Sequence, residues 1–216
     1  MNVLIACESS GIVRDAFTRL GHNATSCDFL PAAPTVSSSL YDEVQHIEGD
    51  VLEVLRDCGS SFDLMIAHPP CTYLSASGLH WNLRRPERQQ LTEEALEFVQ
   101  LLMDAPIERI AIENPVGCIS TRIRKPDQYI QPYEFGHDAS KKTGLWLKGL
   151  PLLKNTRHIP GRLIGPTGHA RLRWDNQTDS GQNKLGPSED RWSARARTYE
   201  GIAWAMASQW SKSIND

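Results

Sequence analysis

The sequence predicts an α/β fold in which helices flank a mostly parallel, Rossmann-like central sheet. Short apolar runs alternate with segments of helical spacing over most of the chain, and this alternation is typical of parallel sheets. The two clearest apolar runs, 62–67 and 107–112, are each followed within three residues by proline, which ends strands because it cannot donate a ladder hydrogen bond. A hydrophobic content of 40% in 216 residues suits one domain spanning 1–216.

The amino-terminal segment predicts a strand, a turn and a helix. Residues 1–6 form the first apolar run, and residues 12–20 place apolar side chains at helical spacing. Ser9 or Ser10 can cap this helix, and Gly21 suits the left-handed position at its end. A strand, a turn of small residues and a helix open a Rossmann-like unit, whose backbone amides accept a polar cofactor.

A second strand is predicted over residues 23–27, with Asp28 at its carboxyl end. An acidic residue there can accept the hydroxyl groups of a ribose, and the alternative is that it caps a helix or turn. Residues 31–46 predict an exposed loop that closes over the cofactor. Gly49-Asp50 then forms a second turn with an acidic side chain.

Two later strand ends carry side chains with reactive chemistry. Cys71 follows the run 62–67 and two prolines, and Glu113-Asn114 follows the run 107–112. The carboxyl ends of parallel strands share one edge of a sheet, so we expect Cys71 and Glu113 to face one cleft as nucleophile and general acid. The alternative for Cys71 is a small, inert core residue, which most free cysteines are.

The segments between and after these strand ends predict support and binding surfaces. Residues 72–88 combine small, aromatic and basic side chains, as a mobile lid over a nucleotide does. Residues 87–103 have the spacing of an amphipathic scaffold helix. Residues 128–133 and 143–147 predict an antiparallel pair of strands at the sheet edge.

The carboxyl-terminal part divides into an irregular region and a closing helix. Residues 149–195 show little periodicity and interleave arginine with tryptophan, as surfaces that bind single-stranded nucleic acid do. Residues 195–210 end in an amphipathic helix. No internal repeat and no linker divides the chain.

Charge and cysteine content narrow the class of protein. The net charge is −3, but basic residues outnumber acidic ones about three to one over 141–197, so this half can track phosphates or can be an ordinary solvated face. The five cysteines contain no C-x-x-C pair, which favours reduced thiols in a cytosol over a metal site. No apolar run reaches the roughly 18 residues of a membrane span, and residues 1–6 lack the pattern of a signal peptide.

The loops Pro69-Pro70-Cys71 and Glu113-Asn114-Pro115 resemble the catalytic motifs Pro-Pro-Cys and Glu-Asn-Val of the DNA cytosine-5 methyltransferases. The start, from Glu8 to Asp15, resembles that of the short phage-type members. The resemblance implies a class I S-adenosylmethionine-dependent methyltransferase fold. Residues 149–195 replace the much longer target-recognition domain of the family. Ser9 takes the place of a family glycine.

The resemblance also implies a set of site residues. Cys71 would add to carbon 6 of cytosine, Glu113 would hold or protonate ring nitrogen 3, and Asn114 would brace the loop. The expected residues for S-adenosylmethionine are Cys7, Glu8, Ser9, Ser10, Gly11, Ile12, Asp28, Asp50, Val51 and Pro69. The expected substrate contacts are Pro70, Ser75, Lys141, Lys142, Arg171 and Arg173, with lysines where the family has arginines.

The sequence leaves alternatives open. The expected substrate is DNA, and a free cytidine nucleotide or single-stranded DNA are alternatives with the same chemistry. A catalytically silent DNA-binding protein and an unrelated nucleotide sensor are two further alternatives. We expect a cytoplasmic protein without a membrane segment or a metal, and the oligomeric state stays open.

Overall fold

The computed structural model of the chain describes residues 1–33, 45–79, 82, 84–166, 169–186 and 197–212. One seven-stranded sheet organises them. Its strands are β1 (Asn2–Ala6), β2 (Asn23–Asp28), β3 (His46–Glu48), β4 (Leu64–Ala67), β5 (Arg109–Pro115), β6 (Gln128–Ile130) and β7 (Thr143–Lys148). They lie in the order β3-β2-β1-β4-β5-β7-β6.

The first five strands are parallel, and β7 runs antiparallel to both β5 and β6. The order β3-β2-β1-β4-β5 is that of a Rossmann-like sheet. The α/β prediction with a mostly parallel sheet is therefore confirmed, and so is the antiparallel pairing of the last two strands. β7 is nevertheless an inner strand, because it lies between β5 and β6.

Helices and a small hairpin complete the fold. The helices are α1 (Ile12–Thr18), α2 (Val51–Cys58), α3 (Ala76–Leu79), α4 (Glu87–Met103), α5 (Ile119–Arg122) and α6 (Glu200–Trp210). A separate antiparallel hairpin is formed by β8 (Arg162–Ile164) and β9 (Arg171–Arg173). None of the helices in the described part of the chain combines the length and the apolar content that crossing a membrane requires.

The core consists of two apolar layers, one on each face of the sheet. Side chains alternate along a strand, so Ile5 of β1 packs into the layer that contains Phe17 of α1 and Trp210 of α6. Its neighbour Leu4 packs into the opposite layer, which contains Leu102 of α4. All five side chains are fully buried. Strands buried on both faces in this way are continuous apolar runs, as β1 and β4 are.

Three element boundaries differ from the predicted ones. α1 ends at Thr18 rather than at residue 20, although Gly21 has the expected left-handed conformation, with φ of 80°. The strand predicted over 128–133 ends at Ile130, because Pro132 begins a 3₁₀ turn. The strand predicted over 107–112 begins at Arg109 and continues through Pro115, so Glu113 and Asn114 lie within it.

The region 149–195 is more regular than its sequence suggests. It contains the β8–β9 hairpin, and the Trp174 ring stacks on the Tyr133 ring with 4.0 Å between centroids and 9° between planes. The closing helix α6, which the sequence predicts as amphipathic, packs against α1 beside the amino-terminal turn.

Candidate functional site

Most of the predicted site residues lie at the carboxyl ends of the parallel strands. The strand order reverses between β1 and β4, and open α/β sheets bind ligands at this switch point. Cys7 follows β1 and His68 follows β4, and the backbone N–H of His68 donates to the Ala6 carbonyl at 3.0 Å. Asp28 ends β2, and Asp50 follows β3 after one glycine.

Two side-chain hydrogen bonds tie the Pro-Pro-Cys loop to β5. His68 Nδ1 lies 2.9 Å from Glu113 Oε2, and the Asn114 amide donates to the Pro69 carbonyl at 2.7 Å. The His68 and Glu113 side chains are 10% and 12% exposed, and Asn114 is buried. The structure therefore brings the Glu113-Asn114 pair against the start of the loop that carries Cys71, with Asn114 bracing that loop.

The two loops also pair through their backbones. The Cys118 N–H donates to the Leu74 carbonyl at 2.9 Å, and the Ala76 N–H donates to the Val116 carbonyl at 2.9 Å. Gly117 lies between these bonds, where a Cβ atom would overlap the Leu74 carbonyl. The first half of the predicted lid 72–88 is thus anchored to the loop after β5, because only glycine allows this approach.

Cys71 begins a tight turn within that anchored loop. Its carbonyl accepts hydrogen bonds from the Leu74 N–H at 3.1 Å and from the Ser75 N–H at 2.9 Å. The cysteine itself is half-buried, unlike the fully buried Cys27. A half-buried thiol on a fixed turn is accessible to a ligand and held in a defined position, as a nucleophile requires.

Glu113 is held as a carboxylate. Burial raises its pKa, but the hydrogen bond from His68 and the positive charge of Lys141 together hold the pKa below the ordinary glutamate value. Lys141 itself is positioned through its backbone N–H, which donates to the Gln131 side chain at 2.9 Å. The site thus contains a carboxylate that must receive a proton before it can act as an acid.

The turn after β1 is shaped by a buried carboxylate. Glu8 is 5% exposed, and its two oxygens accept the Val13 N–H at 2.8 Å and the Arg14 N–H at 3.2 Å. The predicted serine takes part in this arrangement, because Ser10 Oγ donates to Glu8 at 3.0 Å and accepts the Ile12 N–H at 3.4 Å, although Gly11 is the N-cap residue. Gly11 is the residue at the helix start, with φ of 72°.

Cys7 has an unusual backbone and a perturbed side chain. Its φ of 58° is in the left-handed region that non-glycine residues rarely adopt. Burial raises the pKa of its thiol, and the nearby Asp28 and Asp50 carboxylates raise it further. The thiol therefore stays neutral, and the three residues lie close together at the edge of β1, β2 and β3.

Both aspartates also bind nearby backbone. Asp28 Oδ1 accepts the Leu30 N–H at 2.9 Å, and Asp50 Oδ1 accepts the Leu52 N–H at 2.9 Å as the N-cap of α2. Val51, the first residue of α2, is buried in the core layer. Asp28 therefore caps a turn, which is the alternative role that the sequence allows. Its second carboxylate oxygen, Oδ2, takes no part in this contact.

The predicted substrate contacts are placed at different distances from this edge. Pro70 is exposed and Ser75 Oγ lies 3.1 Å from Ser77 Oγ, both on the anchored loop. Lys142 lies over the Tyr129 ring, 4.2 Å from its centroid. The structure thus keeps Lys141 with Glu113 but turns Lys142 toward β6.

The arginines of β9 serve different purposes. Arg173 donates to the backbone carbonyls of Leu172, Asp179 and Ser180, so its guanidinium organises the hairpin region. Arg171 is exposed.

Arg88, in the second half of the predicted lid, donates to the Thr72 carbonyl at 3.2 Å and lies over the Tyr73 ring.

His68 is the functional side chain that the sequence interpretation missed. It directly follows β4 and precedes the two prolines, so its position at a strand end before Cys71 was the available signal. Most of the predicted cofactor loop 31–46, the lid residues His80 and Trp81, and the pair Arg191-Trp192 lie outside the described residues.

The sequence matches no protein-family model. A comparison with curated proteins finds no match to the chain either. The functional assignment therefore depends on the geometry of the site.

Proposed function

We propose that this protein is an S-adenosylmethionine-dependent methyltransferase that acts on carbon 5 of cytosine in DNA. The observation that supports the proposal most is that the loop after β4 and the end of β5 are hydrogen-bonded to each other at one edge of the sheet. His68 binds Glu113 and Asn114 binds Pro69, which holds a carboxylate beside the loop of a half-buried thiol. A thiol and a carboxyl group on adjacent strand ends are the pair that nucleophilic addition to a pyrimidine needs.

The residues around the amino-terminal turn fit S-adenosylmethionine better than a dinucleotide. The first amides of α1 are already bound by the buried Glu8 carboxylate, so a pyrophosphate would meet a negative charge there instead of free N–H groups. Asp28 and Asp50 add further acidic side chains. This acidic crevice suits a ligand with a sulfonium and an ammonium group, and Asp28 suits a ribose.

The residues of the chain divide the chemistry as follows. The Cys71 thiolate forms a bond to carbon 6, and the electron pair of the ring 5,6 double bond moves toward nitrogen 3, where Glu113, once it has received a proton, passes that proton to the ring. When bound, S-adenosylmethionine supplies the electrophilic methyl group that carbon 5 accepts. Glu113 takes back the nitrogen 3 proton, a water molecule removes the carbon 5 proton, and Cys71 leaves as a thiolate.

A second candidate keeps this chemistry and changes the substrate to a free cytidine nucleotide or single-stranded DNA. It is favoured by the way the region after residue 149 uses its polar groups. Arg173 binds its own hairpin region, and the Asn176 side chain exchanges two hydrogen bonds with the Ser140 backbone, at 2.9 and 3.0 Å. Polar side chains that already bind the protein's own backbone are not available to contact the bases of a duplex.

The test measures transfer of a labelled methyl group from S-adenosylmethionine to dCMP, dCTP, single-stranded DNA and duplex DNA. We expect transfer to DNA by the wild-type protein, and transfer to a nucleotide alone would select the second candidate. Cys71→Ala is expected to abolish transfer and to keep S-adenosylhomocysteine binding, because the thiol acts on the base and not on the cofactor.

Cys58→Ala is the matched control, since Cys58 is an exposed free cysteine on α2. It should transfer methyl groups at the wild-type rate. Full activity of Cys71→Ala would contradict the proposal. Salt-dependent DNA binding by the wild-type protein without any transfer would instead identify a catalytically silent DNA-binding protein.

A further inference from the structure

His68 is placed by the fold with little freedom. Its N–H continues the β1–β4 ladder through the Ala6 carbonyl, and two prolines fix the backbone after it. In the pairing of β4 with β5, Ala67 lies opposite Ile112, so the next pair along the strands is His68 and Glu113. The 2.9 Å contact between their side chains is therefore built into the register of the sheet.

The chemistry of this contact defines the tautomer of His68. A carboxylate only accepts hydrogen bonds, so the Nδ1 atom of His68 carries a hydrogen and donates it. The other ring nitrogen, Nε2, is buried without a hydrogen-bond partner among the described residues. Buried polar atoms are nearly always bonded, so Nε2 is available to a partner other than the described side chains.

Glu113 needs a proton source close at hand. Burial alone would raise the pKa of this carboxyl, but His68 and Lys141 hold the pKa below its usual range, so Glu113 is ionised at neutral pH. Ring nitrogen 3 of cytosine must be protonated as the thiolate adds to carbon 6. The hydrogen-bonded, titratable group next to Glu113 is His68.

We propose that His68 is a positioning residue for Glu113 and that the two side chains hold one shared proton for the reaction. When His68 carries a hydrogen on each ring nitrogen, the Nδ1 proton moves through the Glu113 carboxyl to ring nitrogen 3 as the S–C6 bond forms. His68 is then a neutral imidazole whose remaining hydrogen is on Nε2. The proton returns to the pair when the C4–N3 double bond is restored, so the pair ends the cycle unchanged. This role rests on the proposed cytosine chemistry.

The surroundings of His68 contain few other charged or titratable groups in the described part of the chain. Glu113 faces it from β5, and Lys141, just before β7, acts on Glu113. Cys7 is next to it at the end of β1, and the pKa of that thiol is raised by burial and by Asp28 and Asp50, so it stays neutral. On its own loop, Cys71 lies three residues further along.

The kinetic test compares His68→Asn with His68→Ala. Asparagine keeps an N–H donor close to the place of Nδ1 but cannot carry the proton, whereas alanine removes both functions. We expect His68→Ala to lower kcat about 100-fold, the usual contribution of a positioned acid or base, with little change in KM. His68→Asn should recover part of this loss, and the fall of activity at high pH should begin at a lower pH than in the wild type.

The matched control is His22→Asn, because His22 precedes β2 at the opposite edge of the sheet and binds Ser211. It should keep the wild-type pH profile. If His68→Asn keeps both the wild-type kcat and the wild-type pH profile, His68 only orients Glu113 and the shared proton is disproved.

A second measurement needs no catalysis and no substituted histidine. In the wild-type protein with ¹⁵N-labelled histidine, the His68 resonances should show a hydrogen on Nδ1 that is bonded to Glu113, and Glu113→Gln should move that proton and change the titration of the ring. If the His68 resonances are the same in the wild type and in Glu113→Gln, the inference is wrong. If Glu113→Gln changes the His68 resonances but the wild-type protein methylates no cytosine substrate, the proposed function is wrong. The two side chains then share a proton without a role in that reaction.

Discussion

At the scale of single residues, the two glutamates of the site, Glu8 and Glu113, are held by different kinds of group. Glu8 is bound by two backbone N–H groups and a serine hydroxyl, which are fixed dipoles. Glu113 is bound by His68 and the Thr143 hydroxyl and is influenced by the charge of Lys141. The histidine and the lysine are titratable groups. Glu8 is therefore a structural anchor of the cofactor turn, and Glu113 is the carboxyl group whose protonation can change during a reaction.

The lowered pKa of Glu113 predicts how stability depends on pH. A carboxyl group with a lowered folded-state pKa stabilises the fold above its unfolded pKa, and this contribution is lost as pH falls through the folded-state value. We expect Glu113→Gln to be less stable than the wild type at neutral pH. The difference should shrink as the pH falls below the ordinary glutamate value of 4.5, as measured by urea unfolding at several pH values.

Glu108→Gln is the control for this measurement. The Glu108 side chain is 79% exposed and lies just before the same strand, so its replacement should change stability little at any pH. A Glu113→Gln variant whose difference from the wild type is constant across the acid range would show that Glu113 has an ordinary pKa in the folded protein.

The sequence predicted which residues belong to the candidate site better than it predicted the side chains that these residues contact. Cys71, Glu113 and Asn114 were identified because each stands at the end of an apolar run that the sequence makes visible. His68 was missed because its function depends on the register of β4 with β5, which is a contact between residues 45 positions apart. The assignment of Ser9 or Ser10 as the helix cap was right only in part, because Ser10 accepts the first N–H of α1 while Glu8, two residues earlier, accepts the next two.

At the scale of elements, the site depends on the contact between two loops. The backbone bonds from Cys118 to Leu74 and from Ala76 to Val116 join the loop after β4 to the loop after β5. Gly117 permits that contact because a side chain there would overlap the Leu74 carbonyl. The loop that carries Cys71 is thus positioned by its neighbour rather than by its own sequence.

Gly117→Ala is expected to separate the two loops. The added methyl group must push backbone away, so we expect a loss of about 1–3 kcal/mol in the free energy of unfolding, as for overpacked interiors. Methyl transfer should fall more strongly than stability, because Cys71 moves relative to Glu113. Gly186→Ala is the control, since no atom lies near its added carbon, and an equal effect of both changes would contradict this explanation.

Element boundaries were predicted where apolar runs or glycine mark them. β1 and β4 closely follow the predicted runs, because buried parallel strands are apolar on both faces. The β8–β9 hairpin was not predicted, since its strands have only three residues each and expose Leu163 and Leu172. Contacts such as the Trp174–Tyr133 stack hold that hairpin region, and a short sequence pattern does not encode them.

At the scale of the whole molecule, the two ends of the chain are packed together. Trp210 of α6 is fully buried in the layer that contains Phe17 of α1, and its indole N–H donates to the Pro151 carbonyl at 2.9 Å. This side chain joins the closing helix, the amino-terminal unit and the segment after β7. The amphipathic helix predicted at the end of 195–210 is therefore present, and its buried side chains pack against the amino-terminal unit.

Trp210→Ala is expected to destabilise the whole domain. Replacing a fully buried tryptophan with alanine costs about 3–5 kcal/mol in typical cores, and urea unfolding should show one cooperative transition at lower denaturant. Trp204 lies on the same helix and is 46% exposed, so Trp204→Ala should be far less costly. Similar losses for the two variants would mean that α6 does not carry the packing described.

The placement of α6 also determines when the cleft can assemble. The contacts between α1 and α6 join residues nearly two hundred positions apart, and contacts of such separation form late because the intervening chain must be ordered first. A nascent chain on the ribosome therefore carries Cys71 and Glu113 long before α6 emerges to support the first strand. We expect a chain that stops before α6 to leave the cleft unassembled, so such an incomplete translation product should be inert.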